Sequence, residues 1–205
     1  LSDIPYKKTL NVLLKVINNL KIKLKHIDLG GGFGISYEKK NKEINLNKYA
    51  KLVHNFKKKL NCNIIFEPGR SLVGNSGILV SKIQYIKKGP NKYFIILDAG
   101  MNDFMRTALY DAKHEIIPVN KISRKFSSPL EFVGPICEST CKFTAYKNYQ
   151  KIREGDFVAI TNTGAYGSSL SSNYNTRPLM AEILVVKNKF KIIRKRQNLL
   201  KLINA

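Results

Sequence analysis

Two polar loops each follow a short apolar segment in the first third of the chain, and this arrangement constrains the fold more than any other feature. The segment His26–Leu29 leads into a glycine loop at residues 30–34, and Asn63–Phe66 leads into Glu67–Arg70. An amphipathic pattern of helical period precedes each segment. Helix, strand and polar loop, repeated twice, are typical of an α/β layer with a parallel sheet.

The two amphipathic patterns predict helices over residues 9–20 and 47–60. Thr9 is placed as the N-cap of the first helix, because a side-chain oxygen there can accept a free backbone N–H. In the second helix, Val53 and Phe56 share the apolar face. Two strands are too few for a closed sheet, so we expect this region to be part of a larger α/β domain.

The pattern changes near residue 76, where short strand-like segments separated by turn residues begin to dominate. These segments are Ile78–Lys87, Lys92–Asp98, Leu130–Cys137, Asp156–Ile160, Ala181–Val186 and Phe190–Arg194. Together they predict a mostly antiparallel β region. We therefore expect an α/β domain over residues 1–76 and a β domain over residues 77–205.

The charge of the chain is strongly positive, with 36 Lys+Arg against 14 Asp+Glu and a formal charge of +22. Such a charge raises the hypothesis of a nucleic-acid-binding module. However, the lysines are scattered over nearly every segment and accompany many isoleucines and asparagines, as an A/T-rich genome would produce. We expect a solvated basic surface with no nucleic-acid partner. No apolar run approaches the roughly 20 residues of a membrane helix, so no membrane partner is expected.

The three cysteines, Cys62, Cys137 and Cys141, are too scattered for a disulfide framework. This usage favours a reducing, cytoplasmic location. Cys137 and Cys141 do not have the usual Cys-x-x-Cys metal spacing and have no histidine nearby in sequence, so no metal site is predicted.

The two polar loops lie at the carboxyl ends of the predicted strands, where sites form in parallel sheets. The run Gly30–Gly32 could bring backbone N–H groups close to an anion such as phosphate, or could form only a tight turn. Glu67–Arg70 could be a functional pair or a local surface ion pair. In the β region, Cys137 and Glu138 lie side by side, which also fits a buried thiol beside a surface acid.

Taken in order, five motifs resemble those of the diaminopimelate decarboxylases, which are alanine racemase-like pyridoxal 5'-phosphate (PLP) enzymes related to eukaryotic-type ornithine decarboxylases. The motifs are His26–Gly34, Glu67–Asn75, Asp98–Asp103 with Arg106 and Ala108–Asp111, Gly134–Ser139, and Gly164–Gly167 with Ser171–Asn175. The resemblance implies the last strands of a PLP-binding (β/α)8 barrel followed by a C-terminal antiparallel β domain. In such enzymes the lysine that binds PLP covalently lies on an early barrel strand, for which this chain has no matching motif.

The resemblance also implies roles for individual residues. Those assigned to the cofactor are Gly30, Gly31, Gly32, Glu67, Pro68, Gly69, Arg70 and Tyr166. The glycine backbone would hold the phosphate, and Glu67 would pair with the pyridine nitrogen and keep the ring electron-withdrawing. Those assigned to the substrate are Arg70, Arg106, Tyr110, Glu138 and Tyr166.

The implied substrate, meso-2,6-diaminopimelate, is charged at both ends. Arg70 and Arg106 would hold its distal carboxylate, which a planar guanidinium binds well, and Glu138 would accept its distal ammonium. Cys137 would return a proton to Cα after CO2 leaves, reaching in from the partner subunit of a homodimer with shared active sites.

The expected function is therefore decarboxylation of meso-2,6-diaminopimelate to L-lysine, the last step of lysine biosynthesis. One alternative is a related decarboxylase of carboxynorspermidine or another basic amino acid. Another is an inactive fragment. Glu138 after Cys137 favours diaminopimelate over ornithine, because the ornithine enzymes have Asp at that place.

Overall fold

The computed structural model describes residues 4–37, 44–120, 125–126 and 128–204. The chain forms two compact units that divide between Asn75 and Ser76. This division coincides with the change from helical to strand-like sequence patterns. Each unit has its own buried apolar core.

The first unit is an α/β layer. Its elements are α1 (Ile4–Leu20), β1 (His26–Asp28), α2 (Leu46–Leu60), β2 (Asn63–Ile65) and α3 (Arg70–Val73). Strands β1 and β2 pair in parallel, with His26 opposite Asn63 and Asp28 opposite Ile65. The predicted order of helices, strands and polar loops is confirmed. The carboxyl ends of both strands lie at the same edge of the pair.

Helix α1 begins at Ile4, earlier than predicted. Pro5 stands in its first turn, where the missing N–H of proline costs no hydrogen bond and the fixed φ favours the helix. Thr9 therefore lies inside the helix, and its Oγ1 donates a hydrogen bond to the carbonyl of Pro5 at 3.1 Å. The predicted N-cap role of Thr9 is wrong.

Helix α2 has the caps that its sequence supports. The side chain of Asn45 accepts a hydrogen bond from the backbone N–H of Lys48 at 3.0 Å. Asn61 ends the helix in the left-handed conformation at φ 50, which asparagine tolerates better than most residues. The apolar core of this unit consists of Leu10, Ile17, Ile27, Tyr49, Val53, Phe56 and Cys62.

The second unit is built around a six-stranded sheet. Its elements are β3 (Leu79–Lys88), β4 (Tyr93–Leu97), α4 (Arg106–Tyr110), β5 (Ile116–Pro118), β6 (Lys125–Phe126), β7 (Leu130–Val133), β8 (Lys142–Tyr146), β9 (Tyr149–Gln150), β10 (Phe157–Ile160), β11 (Glu182–Val186), β12 (Lys189–Arg194) and α5 (Leu199–Ile203). The strand order is β5-β10-β3-β4-β7-β8. All neighbours are antiparallel except β4 and β7. The predicted β domain is confirmed, with one parallel pair that the sequence did not indicate.

The predicted strand over residues 130–137 is too long, because β7 ends at Val133. A Cβ at Gly134 would lie 2.8 Å from the Cα of Gly100, so the two backbones approach too closely for a side chain. Pro135 follows and has no N–H with which to continue a ladder. Residues 134–141 instead form the loop between β7 and β8, and this loop carries Cys137.

The core of the second unit is formed mainly by side chains of the six-stranded sheet. Its fully buried side chains include Ile83, Ile95, Leu97, Phe104, Phe132, Val158 and Ile160. Strands β11 and β12 form a separate antiparallel hairpin whose apolar side chains are exposed, such as Phe190 at 76%. No helix within the described ranges is long and apolar enough to cross a membrane.

Candidate active site

The two polar loops of the first unit meet at the carboxyl edge of β1 and β2. The backbone N–H of Leu29 donates to the carbonyl of Ile65 at 3.0 Å. One step further, the N–H of Glu67 donates to the carbonyl of Gly30 at 2.9 Å. The parallel pairing thus extends beyond the strands and holds the glycine loop against the Glu67 loop.

The glycine loop has a conformation that requires glycine at three successive positions. Gly30 and Gly32 have φ values of +66 and +80, in the left-handed region that side chains disfavour. A Cβ at Gly31 would lie 2.4 Å from the carbonyl oxygen of Glu67. The loop is therefore more than a turn between two elements, because its middle residue is pressed against the second loop.

The backbone groups of this loop are not all equally available. The N–H of Gly30 donates to Oδ1 of Asp28 at 2.7 Å. The carbonyl of Gly32 accepts a hydrogen bond from the hydroxyl of Tyr6 at 3.0 Å. An anion held by backbone N–H groups would therefore contact Gly31 and Gly32 in preference to Gly30. Of the three glycines predicted to hold the phosphate, Gly31 and Gly32 are thus better placed than Gly30.

The Glu67–Arg70 segment turns from strand β2 into helix α3. Glu67 is exposed and Pro68 is half-buried, while Arg70 is half-buried at the start of the helix. Both Glu67 and Arg70 are among the described residues, and they form no ion pair with each other. The alternative of a local surface ion pair is therefore wrong. A Cβ at Gly69 would meet nothing within 4 Å, so steric contacts with the described residues do not explain a glycine at this position.

In the second unit, Arg106 is enclosed by two tyrosines that the sequence placed in the same site. The guanidinium carbon of Arg106 lies 5.8 Å from the ring centroid of Tyr110 and 5.4 Å from that of Tyr166. Arg106 is only 6% exposed, whereas the two tyrosines are 62% and 48% exposed. A desolvated cation flanked by aromatic faces is a strong receptor for an anion.

His114 belongs to this cluster, although the sequence analysis did not single it out. Its Nε2 lies 3.4 Å from Nε of Arg106, and its Nδ1 lies 2.8 Å from the carbonyl oxygen of Thr161. Burial and, to a smaller extent, the Arg106 charge lower the pKa of His114 from 6.5 to about 4, against the opposing effect of the Thr161 hydrogen bond. A single histidine after a short helix has no spacing that would have identified it.

Cys137 and Glu138 lie in the loop between β7 and β8, and both are exposed. The loop is closed by hydrogen bonds from the N–H of Cys141 to the carbonyl of Glu138 at 3.0 Å and from that of Gly134 to the carbonyl of Cys141 at 2.8 Å. Cys141 is buried, and its Sγ accepts from the N–H of Met101 at 3.4 Å. The alternative of a buried thiol therefore applies to Cys141 and is wrong for Cys137.

Glu138 has a partner that the sequence analysis did not propose. The hydroxyl of Tyr174 donates to Oε1 of Glu138 at 2.5 Å, and both side chains are exposed. This hydrogen bond and the carboxylate charge raise the pKa of Tyr174, so its hydroxyl keeps its proton. Tyr174 opens the 3-10 turn Tyr174–Thr176, within one of the motifs that was recognised.

The loop after β4 contacts the segment at residues 172–177, which carries Tyr174. Nε of Arg177 donates to Oδ1 of Asn102 at 3.1 Å, and its guanidinium lies 3.6 Å from Oδ2 of Asp103. The N–H of Ser172 donates to the carbonyl of Asn102 at 2.9 Å. Since Asn102 is fully buried, the loop at residues 98–103 anchors the segment that carries Tyr174.

Comparison with known proteins places this arrangement in a family. A family model described as pyridoxal-dependent decarboxylase, C-terminal sheet domain, matches residues 11–164. A diaminopimelate decarboxylase of Helicobacter pylori is 44% identical over 187 residues, covering 91% of this chain and 46% of the relative. One from Aquifex aeolicus is 40% identical over 197 residues, covering 95% of this chain and 47% of the relative.

A solved structure is similar over nearly the whole chain. The crystal structure of diaminopimelate decarboxylase from Helicobacter pylori complexed with L-lysine superposes with a TM-score of 0.82 at 41% identity. The match covers 97% of this chain and 48% of that one. The chain thus spans about half the length of the relatives that it matches.

The first unit fits the cofactor that this family name implies. A Cβ at Gly32 or at Gly69 would meet nothing within 4 Å, so a neighbouring group can approach the backbone at these two glycines. A phosphate needs such close approach to backbone N–H groups. The chain belongs to the pyridoxal-dependent decarboxylases and carries the sheet domain of that family.

Proposed function

We propose that this chain is part of a PLP-dependent carboxy-lyase that converts meso-2,6-diaminopimelate to L-lysine. The observation that carries the proposal is Arg106, a nearly buried cation between Tyr110 and Tyr166 in a sheet domain of the decarboxylase family. Diaminopimelate has a second carboxylate far from the reacting carbon, and Arg106 is suited to bind it. Ornithine has no such group.

Residues 1–76, which include the first unit, would be the C-terminal part of the (β/α)8 barrel that binds PLP. Gly31 and Gly32 would hold the phosphate through backbone N–H groups, with Gly69 close by. Glu67, exposed at the end of the loop, would pair with the pyridine nitrogen. When bound, the cofactor supplies the electron sink that decarboxylation requires.

The two ends of the substrate would be bound by residues of opposite charge. Arg70 and Arg106 would take the distal carboxylate, with Tyr110 and Tyr166 confining it. Glu138, already oriented by Tyr174, would take the distal ammonium. A receptor for each charge selects both the length and the polarity of the substrate.

Cys137 would supply the proton that Cα needs after CO2 has left. Its exposure, in contrast to buried Cys62 and Cys141, supports a thiol that reaches a site formed with another chain. We propose that the second chain is an identical subunit, so that each site of a homodimer receives Cys137 from the partner. The free cysteines support a cytoplasmic location.

The test uses the full-length gene product, purified with PLP. Release of CO2 and formation of L-lysine are measured with meso-diaminopimelate, ornithine and carboxynorspermidine as substrates. We expect kcat/KM to be highest for diaminopimelate, and R106Q to lower it by roughly two orders of magnitude through loss of a charged contact. A preference for carboxynorspermidine would favour the related decarboxylase, and no turnover of any substrate by a PLP-loaded protein would contradict the proposed activity.

A further inference from the structure

Burial alone does not fix the orientation in which the guanidinium of Arg106 would bind a carboxylate. A guanidinium is planar and binds a carboxylate best with two parallel N–H groups in that plane, so its rotation must be restricted. The guanidinium carbon lies over the rings of the two tyrosines, 5.8 and 5.4 Å from their centroids. Aromatic faces confine the plane weakly, because cation–π attraction has little directional preference within it.

His114 supplies a directional contact to the inner edge of the guanidinium. Nε of Arg106 lies 3.4 Å from Nε2 of His114. Arginine nitrogens can only donate, so Nε2 must carry the lone pair. Nδ1 lies 2.8 Å from the carbonyl oxygen of Thr161, which can only accept, so Nδ1 must carry the hydrogen. The two contacts together require the neutral Nδ1–H tautomer.

The imidazole is itself held firmly. Its ring packs edge to face against Phe104, with centroids 4.7 Å apart and planes at 90°. The hydroxyl of Thr144 donates to the backbone carbonyl of His114 at 2.8 Å. His114 is 1% exposed, so water does not compete for either ring nitrogen. The ring is therefore a rigid acceptor.

We propose that His114 is a positioning residue, whose Nε2 accepts the Nε–H of Arg106 and thereby turns the terminal fork of the guanidinium toward the distal carboxylate of the substrate. This inference rests on the proposed function of Arg106. His114 takes no part in proton transfer to the substrate. It sets the direction of the receptor and so contributes to the choice between ligands with and without that carboxylate.

The test compares two ligands of equal length on the PLP-loaded full-length protein. L-lysine keeps the distal carboxylate, and cadaverine lacks it. Their dissociation constants are measured for the wild type, for H114F, which keeps an aromatic ring against Phe104, and for H114Q, whose amide oxygen can accept from Arg106. We expect H114F to weaken L-lysine about tenfold while cadaverine stays unchanged, and H114Q to recover part of the loss. The control H54Q alters an exposed histidine on α2 and should change neither constant.

The outcomes separate this inference from the proposed function. A wild type that does not prefer L-lysine to cadaverine would contradict the role of Arg106 itself. A wild type that prefers L-lysine, combined with an H114F that prefers it equally or loses both ligands equally, would overturn the role of His114. If H114F does not fold, nitrogen-15 spectra of the wild type, assigned with H114Q, decide the matter: the Nδ1–H tautomer is expected, and an Nε2–H or charged ring overturns the inference.

Discussion

Tyr174 and Glu138 are joined by a 2.5 Å hydrogen bond between two separate loops of the second unit. One loop connects β7 to β8, and the other follows the Gly164–Gly167 motif. The carboxylate that we assign to the distal ammonium is therefore fixed by a residue distant in sequence. Without this bond an exposed glutamate would sample several rotamers, and binding would have to restrict them.

We expect Y174F to raise KM for diaminopimelate roughly three- to tenfold with a smaller effect on kcat, because Glu138 keeps its charge and loses its orientation. Steady-state kinetics of the full-length protein measure both parameters. The matched control is Y85F, which removes the hydroxyl of an exposed tyrosine on β3. Equal effects of the two substitutions would show that Tyr174 does not orient Glu138.

The glycines of the two loops that we propose to bind PLP provide a second, paired test. In G31A the new Cβ would lie 2.4 Å from the carbonyl oxygen of Glu67, so the loops must separate. We expect a loss of about 1–3 kcal/mol in stability together with weaker PLP binding. The measurements are the melting temperature of the PLP-free protein and PLP affinity by absorption.

Gly69 should behave differently. Its φ is −95 and a Cβ would meet nothing within 4 Å, so G69A should melt like the wild type. If a cofactor approaches this backbone, however, the added methyl group should lower PLP affinity without loss of stability. Unchanged PLP affinity in G69A would mean that Gly69 does not contact the cofactor.

The sequence predicted the parts of the fold in which local pattern and tertiary structure agree. The helical period over residues 47–60 and the turn from Asn63–Phe66 into Glu67 both reflect one-sided burial, which a single sequence reveals. The start of α1 was misplaced because Thr9 is a good N-cap by type, whereas Pro5 in fact marks the first turn. The end of β7 was misplaced because the close approach of Gly134 to Gly100 is a long-range contact.

The same distinction applies to the site. Arg106, Tyr110 and Tyr166 could be named from recognisable motifs, and the structure brings them together. His114 contacts Arg106, and Tyr174 donates a hydrogen bond to Glu138. Arg106 and Glu138 could be named from the motifs, but these contacts depend on how distant segments of the chain come together. Thr161, at the end of β10, holds His114 only because β10 pairs with β5. No spacing rule within one chain predicts such a contact.

The buried imidazole of His114 predicts a pH dependence of stability. Its pKa is about 4 in the folded state and 6.5 when unfolded, so protonation favours the unfolded chain. The stabilisation that comes from keeping His114 neutral is fully present above pH 6.5 and is lost as the pH falls from 6.5 toward 4. The free energy of unfolding should fall by up to roughly 3 kcal/mol over this range. We expect the melting temperature to fall over this range, and less steeply in H114Q than in H54Q. Identical slopes would show that His114 is not a source of the acid sensitivity.

Replacement of Cys137 should separate proton return from cofactor binding. We expect C137A to lower kcat by about 10²- to 10⁴-fold, the range for loss of a general acid, with PLP affinity unchanged. Release of CO2 and absorption of bound PLP are measured on the same sample. C62A is the matched control, because Cys62 lies in the core of the first unit. Loss of PLP in C137A would contradict the assigned role.

A site shared between subunits makes a further prediction. One full-length variant carries C137A, and the other has the PLP-binding lysine replaced, so each homodimer alone is nearly inactive. In a mixed dimer, one of the two sites would receive an intact lysine from one chain and an intact Cys137 from the other. Random mixing of equal amounts gives mixed dimers in about half of the population, each with one working site, so about a quarter of wild-type activity should return. Differently tagged chains establish that exchange has occurred. If verified mixed dimers stay as inactive as their parents, Cys137 acts within its own subunit or not at all.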